Sequence, residues 1–394
     1  MPIRGGASAP SSFFNLYEGT DTAITATNQH ATWEIPMRLI QARTIIEHSF
    51  QSQIDYRMNG GSKPIIVIME GDPGIAKTAT VEQIKAALEI DLLCFSLAQY
   101  DVAEVAGWVV STDDGMTRLR PDWFPVNTPE MQAKADAGQI VGAIFMDEIK
   151  NATVAGMNLA AQLTDEFRIG KHHLPDGWVI VAASNKDSNR AGTNRMPTHL
   201  RDRFMTIEVE ADVDDFVAYA NANDFDPLIT GFIRSRPELL SKFERDALAC
   251  PSPRGWDKTN TILSWGLDPV LELAAIGCQI GEGVAAEFAG YRRIAGSVVE
   301  PREVFASPST ARVPEDPAAC YAMASALAYH ASVDNFGAIL TYLSRFHHRE
   351  FAVVCVKDAC ARNPELKTSP KTRPVLKDFL VKHGSDLMKD WEDA

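Results

Sequence analysis

Continuous apolar runs alternate with stretches of helical periodicity along the first half of the chain. The run Pro64–Met69 is apolar and rich in β-branched residues, and a loop containing glycine and proline separates it from a segment with helical spacing, Thr78–Leu88. Further strand-like runs are Leu92–Ser96, Val141–Met146, Trp178–Ala183 and the shorter Met205–Val209. Because strands that are buried on both faces read as uninterrupted apolar runs, this alternation predicts an α/β fold built on a doubly wound parallel sheet.

The pattern changes near Ala211. From there to the end of the chain the strand-like runs stop and apolar positions recur at helical spacing, as in Val270–Ile280 and Ala319–Tyr329. The residues around Asp212 and the segment Val299–Asp316, which contains proline and serine, are the predicted linkers. The sequence therefore predicts four parts: a flexible N-terminal segment at 1–34, an α/β domain at 35–211, an all-helical domain at 212–296 and a helical C-terminal extension at 297–394.

Composition narrows the classes of partner. The 394 residues include 38 Lys and Arg against 52 Asp and Glu, so the formal net charge is −14. A surplus of acid repels a phosphate backbone, which disfavours nucleic acid as a partner. No apolar run approaches the ~20 residues of a membrane-spanning helix, so we expect no membrane association. The six cysteines form no CxxC pair and lie in apolar stretches, and we therefore expect reduced core thiols and a cytoplasmic location.

The loop after the first strand has the pattern of a phosphate-binding loop. It follows a buried strand and opens a helix, so its backbone N–H groups and the helix N-terminus can face one anion. Lys77 is expected to contact the β- and γ-phosphates of a nucleotide, and Thr78 to offer its hydroxyl to Mg²⁺. The general pattern of such loops is GxxxxGK[ST]. Ala76 stands where that pattern has its second glycine. The predicted nucleotide-binding residues are Gly71, Asp72, Pro73, Gly74, Ile75, Ala76, Lys77, Thr78 and Ala79.

Polar residues follow the third and fourth of the apolar strand-like runs. Asp147 and Glu148 end the strand-like run Val141–Met146. Asp147 is the second predicted Mg²⁺ ligand beside Thr78, and Glu148 is expected to polarise an attacking water. Asn185 comes after the following strand and can orient that water, because an amide both donates and accepts hydrogen bonds. A plain turn-capping role for Asn185 is the alternative.

These elements, in this order, resemble the AAA+ ATPases, and their details are similar to the MoxR-like branch with its dynein-related type of AAA domain. The matching stretches are Glu70–Thr78, Phe145–Ile149, Leu200–Phe204 and Pro251–Arg254. Ala76 before the lysine is also what MoxR-like sequences tend to carry. The resemblance implies a P-loop NTPase core followed by a helical lid domain, with ATP and Mg²⁺ as cofactors. It covers about two thirds of the chain, roughly Ile35–Ile294.

The resemblance also assigns roles by position. Asn185 matches sensor 1 and Arg254 matches sensor 2. Arg203 best matches the arginine finger, which acts on the nucleotide of the neighbouring subunit, and Arg201 is near enough to share or take that role. A surface ion pair is the ordinary alternative for each arginine. The catalytic residues predicted in this way are Glu148, Asn185, Arg203, Arg254 and Arg201.

The function implied by the resemblance is Mg²⁺-dependent ATP hydrolysis by a homo-oligomer, a hexameric ring, that remodels a protein client as a chaperone does. A von Willebrand factor A domain protein is the client that the family suggests. The segments Gly107–Leu119 and Phe167–Leu174 resemble two hairpin insertions that face the pore or the substrate in AAA+ rings. Two alternatives stay open: a motor that acts on DNA, and a nucleotide-gated scaffold that does not hydrolyse ATP.

Overall fold

The computed structural model describes residues 37–113, 115–186 and 196–383. The predicted N-terminal segment at 1–34 and the last residues of the predicted extension lie outside this part of the chain. Within it, no helix is long and apolar enough to cross a membrane.

A six-stranded sheet forms the centre of the first half, and all its strands run parallel. In chain order these strands are β1 (Met37–Arg38), β2 (Ile66–Gly71), β3 (Asp91–Ser96), β6 (Gly142–Asp147), β9 (Trp178–Asn185) and β10 (Phe204–Glu210). Their spatial order is β1-β10-β2-β9-β6-β3. Two short antiparallel hairpins stand apart from the sheet: β4 (Val109–Thr112) with β5 (Gly115–Arg118), and β7 (Arg168–Ile169) with β8 (His172–His173).

Six α-helices accompany these strands in the described residues. They are α1 (Leu39–Asn59), α2 (Lys77–Leu88), α3 (Val102–Ala106), α4 (Pro129–Asp136), α5 (Val154–Glu166) and α6 (Thr198–Arg201). Alternate side chains of one strand lie on opposite faces of the sheet and are buried there. On β6, Ile144 and Met146 pack with Met157 of α5, whereas Ala143 and Phe145 belong to the cluster that contains residues of α1 and α2. Because both faces of the sheet are covered, the predicted doubly wound α/β fold is confirmed.

From Val213 onward the described chain is helical. The helices are α7 (Val213–Ala222), α8 (Pro227–Ser235), α9 (Pro253–Leu263), α10 (Pro269–Ile280), α11 (Glu282–Ala295), α12 (Pro301–Ala306), α13 (Pro317–Tyr329), α14 (Phe336–Leu343), α15 (Arg349–Arg362), α16 (Glu365–Thr368) and α17 (Arg373–His383). This confirms the predicted change from mixed to helical structure. The boundaries proposed at 211, 296 and 297 stay predictions.

A recurring local signal starts several of these helices. Asp226, Ser252, Asp268 and Asp316 each accept a hydrogen bond from a backbone N–H of the helix that follows, and a proline occupies the first helical position after each of them. A side-chain oxygen satisfies an otherwise unpaired N–H, and the proline ring is already set to a helical φ. Each such cap contributes about 1 kcal/mol to helix stability.

Two expectations from the sequence are wrong in detail. Cys94 and Cys278 are exposed, so not all cysteines are core thiols. Cys94 lies on β3, which is the last strand at one edge of the sheet. Apolar residues recur at roughly helical spacing from Ile35 to Met58, which predicts one helix there. The described part of this segment first forms β1, which pairs with β10, and the helix begins at Leu39.

Candidate functional site

The loop between β2 and α2 is held in a conformation that favours glycine at two positions. Gly74 has φ +81°, and Ala76, the residue before the helix, has φ 77° and ψ 26° in the left-handed region. A left-handed conformation costs a residue with a Cβ roughly 1–2 kcal/mol. Ala76 therefore occupies a position where glycine is the unstrained choice. A Cβ on Gly74 would also lie 2.9 Å from Ser252 Oγ, so the loop needs glycine for close approach to α9.

Lys77 is the first residue of α2 and is almost fully enclosed by the loop. Its Nζ donates to the carbonyl oxygens of Gly71 at 2.8 Å and Asp72 at 2.9 Å, and to Asn185 Oδ1 at 3.1 Å. Burial of the ammonium lowers the pKa of Lys77 to about 8, although Asp147 and Asp72 act in the opposite direction. The predicted lysine and the predicted sensor-1 asparagine thus lie in direct contact, at the carboxyl ends of the neighbouring strands β2 and β9.

The two predicted magnesium ligands lie side by side. Thr78 Oγ1 donates to Asp147 Oδ2 at 3.3 Å. Burial raises the pKa of Asp147, while hydrogen bonds from the backbone N–H of Glu148 and from Thr78 oppose that rise. A hydroxyl and a carboxylate are hard oxygen donors of the kind that Mg²⁺ prefers. The donor set therefore fits the metal that the sequence predicts.

The backbone turns at Glu148, directly after the end of β6. The φ of this residue is 52° and its ψ is 37°, in the left-handed region, and it starts a 3₁₀ helix at Ile149–Asn151. Asn151 Nδ2 donates to Glu148 Oε2 at 2.9 Å. Lys150 pairs with Glu70 Oε1 at 2.7 Å, which ties this segment to the end of β2. Asn151 and Lys150 are not predicted from the sequence, because a 3₁₀ turn leaves no periodic signal.

The start of α9 lies against the phosphate loop. The backbone N–H of Arg254 donates to the carbonyl oxygen of Gly74 at 3.1 Å, and Ser252 caps the helix by accepting from the N–H of Gly255. The Arg254 side chain is exposed, and its charge acts to lower the pKa of Lys77. The predicted sensor-2 residue therefore belongs to the same site as the phosphate loop.

Arg201 and Arg203 lie near the amino ends of the parallel strands, opposite to the end that carries the phosphate loop. The next residue, Phe204, pairs with Ile66 at the start of β2, whereas Gly71 and the loop lie at its end, about 17 Å farther along at ~3.3 Å per residue. Arg203 pairs with Asp165 at 3.3 Å and also donates to the carbonyl oxygen of His199. Arg201 is exposed at the end of α6. Neither arginine is brought to the Lys77 site of its own chain.

The two hairpins contact each other. Lys171 donates to Thr117 Oγ1, and a ring nitrogen of His172 lies 3.0 Å from the carbonyl oxygen of Arg118. Large apolar side chains of the first hairpin point to solvent: Trp108 is 65% exposed and Met116 is 81% exposed. The two hairpins are therefore in contact, and the first of them exposes large apolar side chains.

No protein-family model matches the chain, and no curated protein matches it. Among solved structures, the chain is similar to the RuvB Holliday junction branch migration motor of Thermotoga maritima at 15% identity, over 67% of this chain and 76% of that chain, with a TM-score of 0.34. It is also similar to Hsp104 in its closed state with ATPγS and FITC casein, at 12% identity, over 57% of this chain and 44% of that chain, with a TM-score of 0.31. Likenesses this distant assign no activity to this chain.

Proposed function

We propose that the protein is a Mg²⁺-dependent ATPase of the AAA+ class, in its MoxR-like branch. The observation that carries this proposal is the convergence of Lys77, Thr78, Asp147, Glu148 and Asn185 at the carboxyl ends of the adjacent strands β2, β9 and β6. In open parallel sheets ligands bind at this edge. A phosphate loop together with an acidic strand end and a polar third strand is what nucleotide hydrolysis requires.

Each residue has a chemical task in this proposal. The N–H groups of the loop and of the start of α2 bind the phosphates, and Lys77 contributes its positive charge. Thr78 and Asp147 hold Mg²⁺, which neutralises charge on the phosphates when it is bound. Glu148 accepts the proton of the attacking water, and Asn185 orients that water. Arg254 reaches the nucleotide from the lid, which the chain provides with α9.

Hydrolysis in this proposal takes place between subunits of a homo-oligomeric ring, a hexamer. An arginine finger stabilises the charge of the transition state from the neighbouring subunit and contributes ~10³–10⁵ in rate in other NTPases. The distance of Arg201 and Arg203 from their own Lys77 supports action in trans. Arg203 is engaged by Asp165, and Arg201 is exposed, so both stay candidates.

The proposed client is a protein, and a von Willebrand factor A domain protein is the first candidate. The exposed Trp108 and Met116 offer apolar contact area of the kind that binds polypeptide. The net charge of −14 disfavours the alternative, a motor that acts on DNA. The remodelling would be chaperone-like and cytoplasmic.

Turnover separates this enzyme from a nucleotide-gated scaffold. Purified protein with Mg²⁺ and ATP should release phosphate, and Glu148→Gln should lower kcat by ~10²–10⁴ while ATP still binds. The exposed Glu365 supplies a matched control, because Glu365→Gln makes the same chemical change far along the chain and should leave kcat unchanged. Phosphate release by the wild type no faster than by Glu148→Gln would refute hydrolysis and favour the scaffold.

Mixed assemblies test the action in trans. Lys77→Ala subunits lack phosphate binding, and Arg203→Ala or Arg201→Ala subunits lack a candidate finger. Mixing Lys77→Ala with the variant of the true finger should recover ATPase activity, since each subunit supplies what the other lacks. Mixing with the other arginine variant should give no such gain. An absence of recovery in both mixtures would argue against a site shared between subunits.

Client capture tests the choice between protein and DNA. The Glu148→Gln protein, held with ATP, should retain a protein client in a pull-down, and the retention should weaken when Trp108→Ser is added. Binding to DNA that falls steeply between low and moderate salt would favour the motor hypothesis instead.

A further inference from the structure

Asn151 and Glu148 are joined by two hydrogen bonds across one 3₁₀ turn. The backbone N–H of Asn151 donates to the carbonyl oxygen of Glu148 at 2.8 Å, and Asn151 Nδ2 donates to Glu148 Oε2 at 2.9 Å. The first bond belongs to the 3₁₀ helix, and any residue except proline could make it at position 151. The second bond depends on the asparagine side chain.

The two residues that precede Asn151 are both anchored. Ile149 has no exposed surface and belongs to the apolar cluster on one face of the sheet. Lys150 is 5% exposed and pairs with Glu70 at 2.7 Å, near the end of β2. Asn151 is therefore presented to the Glu148 carboxylate from a rigid support that is tied to the phosphate-loop strand.

The chemistry of an amide suits this position. A glutamate side chain loses up to ~2 kcal/mol of rotamer freedom when it is held in one orientation. A catalytic group accelerates its reaction more when a partner already holds it in the reactive orientation. A lysine or arginine would pair with the negative charge and make the carboxylate a weaker base, whereas the neutral amide of Asn151 orients the carboxylate without adding a counter-charge.

We propose that Asn151 is a positioning residue that orients Glu148 for its reaction with water. This inference rests on the proposed ATPase function and adds to it a residue outside the phosphate-loop, acidic-strand and sensor motifs. A purely structural role, in which Asn151 supports the 3₁₀ helix, is the competing explanation. The two differ in whether the effect of Asn151 depends on Glu148.

The test compares Asn151→Ala in the wild-type and Glu148→Gln backgrounds. In the wild type the substitution should lower kcat about tenfold and leave the KM and Kd for Mg²⁺-ATP unchanged, because Glu148 acts on water and not on nucleotide binding. In the Glu148→Gln background, single-turnover hydrolysis should show no further loss. Asn151→Gln keeps the amide on a longer side chain and should recover part of kcat. Thermal midpoints compared across all the variants establish that they are folded.

The outcomes separate this inference from the proposed function. An unchanged kcat in Asn151→Ala, an equal loss of rate in the Glu148→Gln background, or a weaker Kd for ATP with normal kcat would each overturn the positioning role and leave the ATPase intact. A wild-type protein without Mg²⁺-ATP turnover would instead refute the proposed function itself.

Discussion

At the scale of single residues, charged side chains of the site are buried or partly buried. Lys77 is 8% exposed, and the cost of burying its ammonium lowers the pKa to about 8. The same enclosure raises the pKa of Asp147. These opposite shifts have one cause, since burial disfavours the charged form of either group. The charge state of the site is therefore sensitive to pH in a range where an exposed lysine would be fully protonated.

This predicts a pH dependence of nucleotide binding. Below about pH 8 Lys77 is protonated and attracts phosphate, and above it the neutral amine prevails in the free protein. The affinity for Mg²⁺-ATP should therefore fall as pH rises from 7 to 9, as measured by isothermal titration calorimetry. Lys77→Arg is the matched control, because a guanidinium stays charged over this range and its affinity should be level. A wild-type affinity that is equally level would contradict the shift.

The motif residues of the site could be predicted from the sequence, but their supporting partners could not. Lys77, Thr78, Asp147 and Asn185 lie together as their positions after consecutive strands indicate. Asn151 acts through a 3₁₀ turn, Glu70 pairs with a lysine 80 positions later in the chain, and Ser252 meets the loop only because α9 packs there. Contacts that depend on tertiary packing leave no local pattern to read.

At the scale of elements, burial decides which strands and helices can be predicted from the sequence. β2, β6 and β9 lie inside the sheet and read as apolar runs. β1 has two residues and exists through its pairing with β10, so nothing in its own sequence indicates it. The sequence pattern does not indicate α15, because its buried face carries Asp358, whose partner Arg234 lies on α8. A charged residue on a buried face obscures the helical periodicity.

The first hairpin offers a test of backbone constraint. Gly107 and Gly115 both have positive φ, but a Cβ on Gly107 would lie 1.8 Å from the carbonyl oxygen of Leu119, whereas a Cβ on Gly115 would meet no atom within 4 Å. Gly115→Ala should cost only the left-handed strain, about 1–2 kcal/mol. Gly107→Ala should lower the free energy of unfolding in urea by more, since the backbone must move as well. Equal losses in the two variants would contradict the close approach.

At the scale of the whole molecule, buried ion pairs join distant parts of the helical half. Arg234 on α8 pairs with Asp358 on α15 at 2.7 Å, and their side chains are 11% and 8% exposed. Burial raises the pKa of Asp358, and the charge of Arg234 opposes that rise. Arg234 also pairs with Asp214 on α7 at 3.0 Å, so this arginine links α8 to both α15 and α7.

Breaking this pair should therefore destabilise the protein. Asp358→Ala leaves the Arg234 charge buried with less compensation, and we expect a loss of ~3–5 kcal/mol in the free energy of unfolding. Asp334 pairs with Lys371 at the surface, with 90% of its side chain exposed. Asp334→Ala should leave stability close to that of the wild type, because exposed pairs contribute little. Similar losses from both substitutions, measured by urea unfolding, would contradict the role of burial.

Helix α13 contributes residues to both apolar cores of the helical half. Ala322 on this helix packs in the apolar cluster formed mainly by α7 to α11, and its neighbour Met323 packs in the cluster formed by α12 to α17. Because one helix contributes to both cores, we expect the two cores to move together. If nucleotide binding in the proposed ATPase rotates the start of α9, that rotation would reach the far end of α17 as a longer displacement than at the phosphate loop.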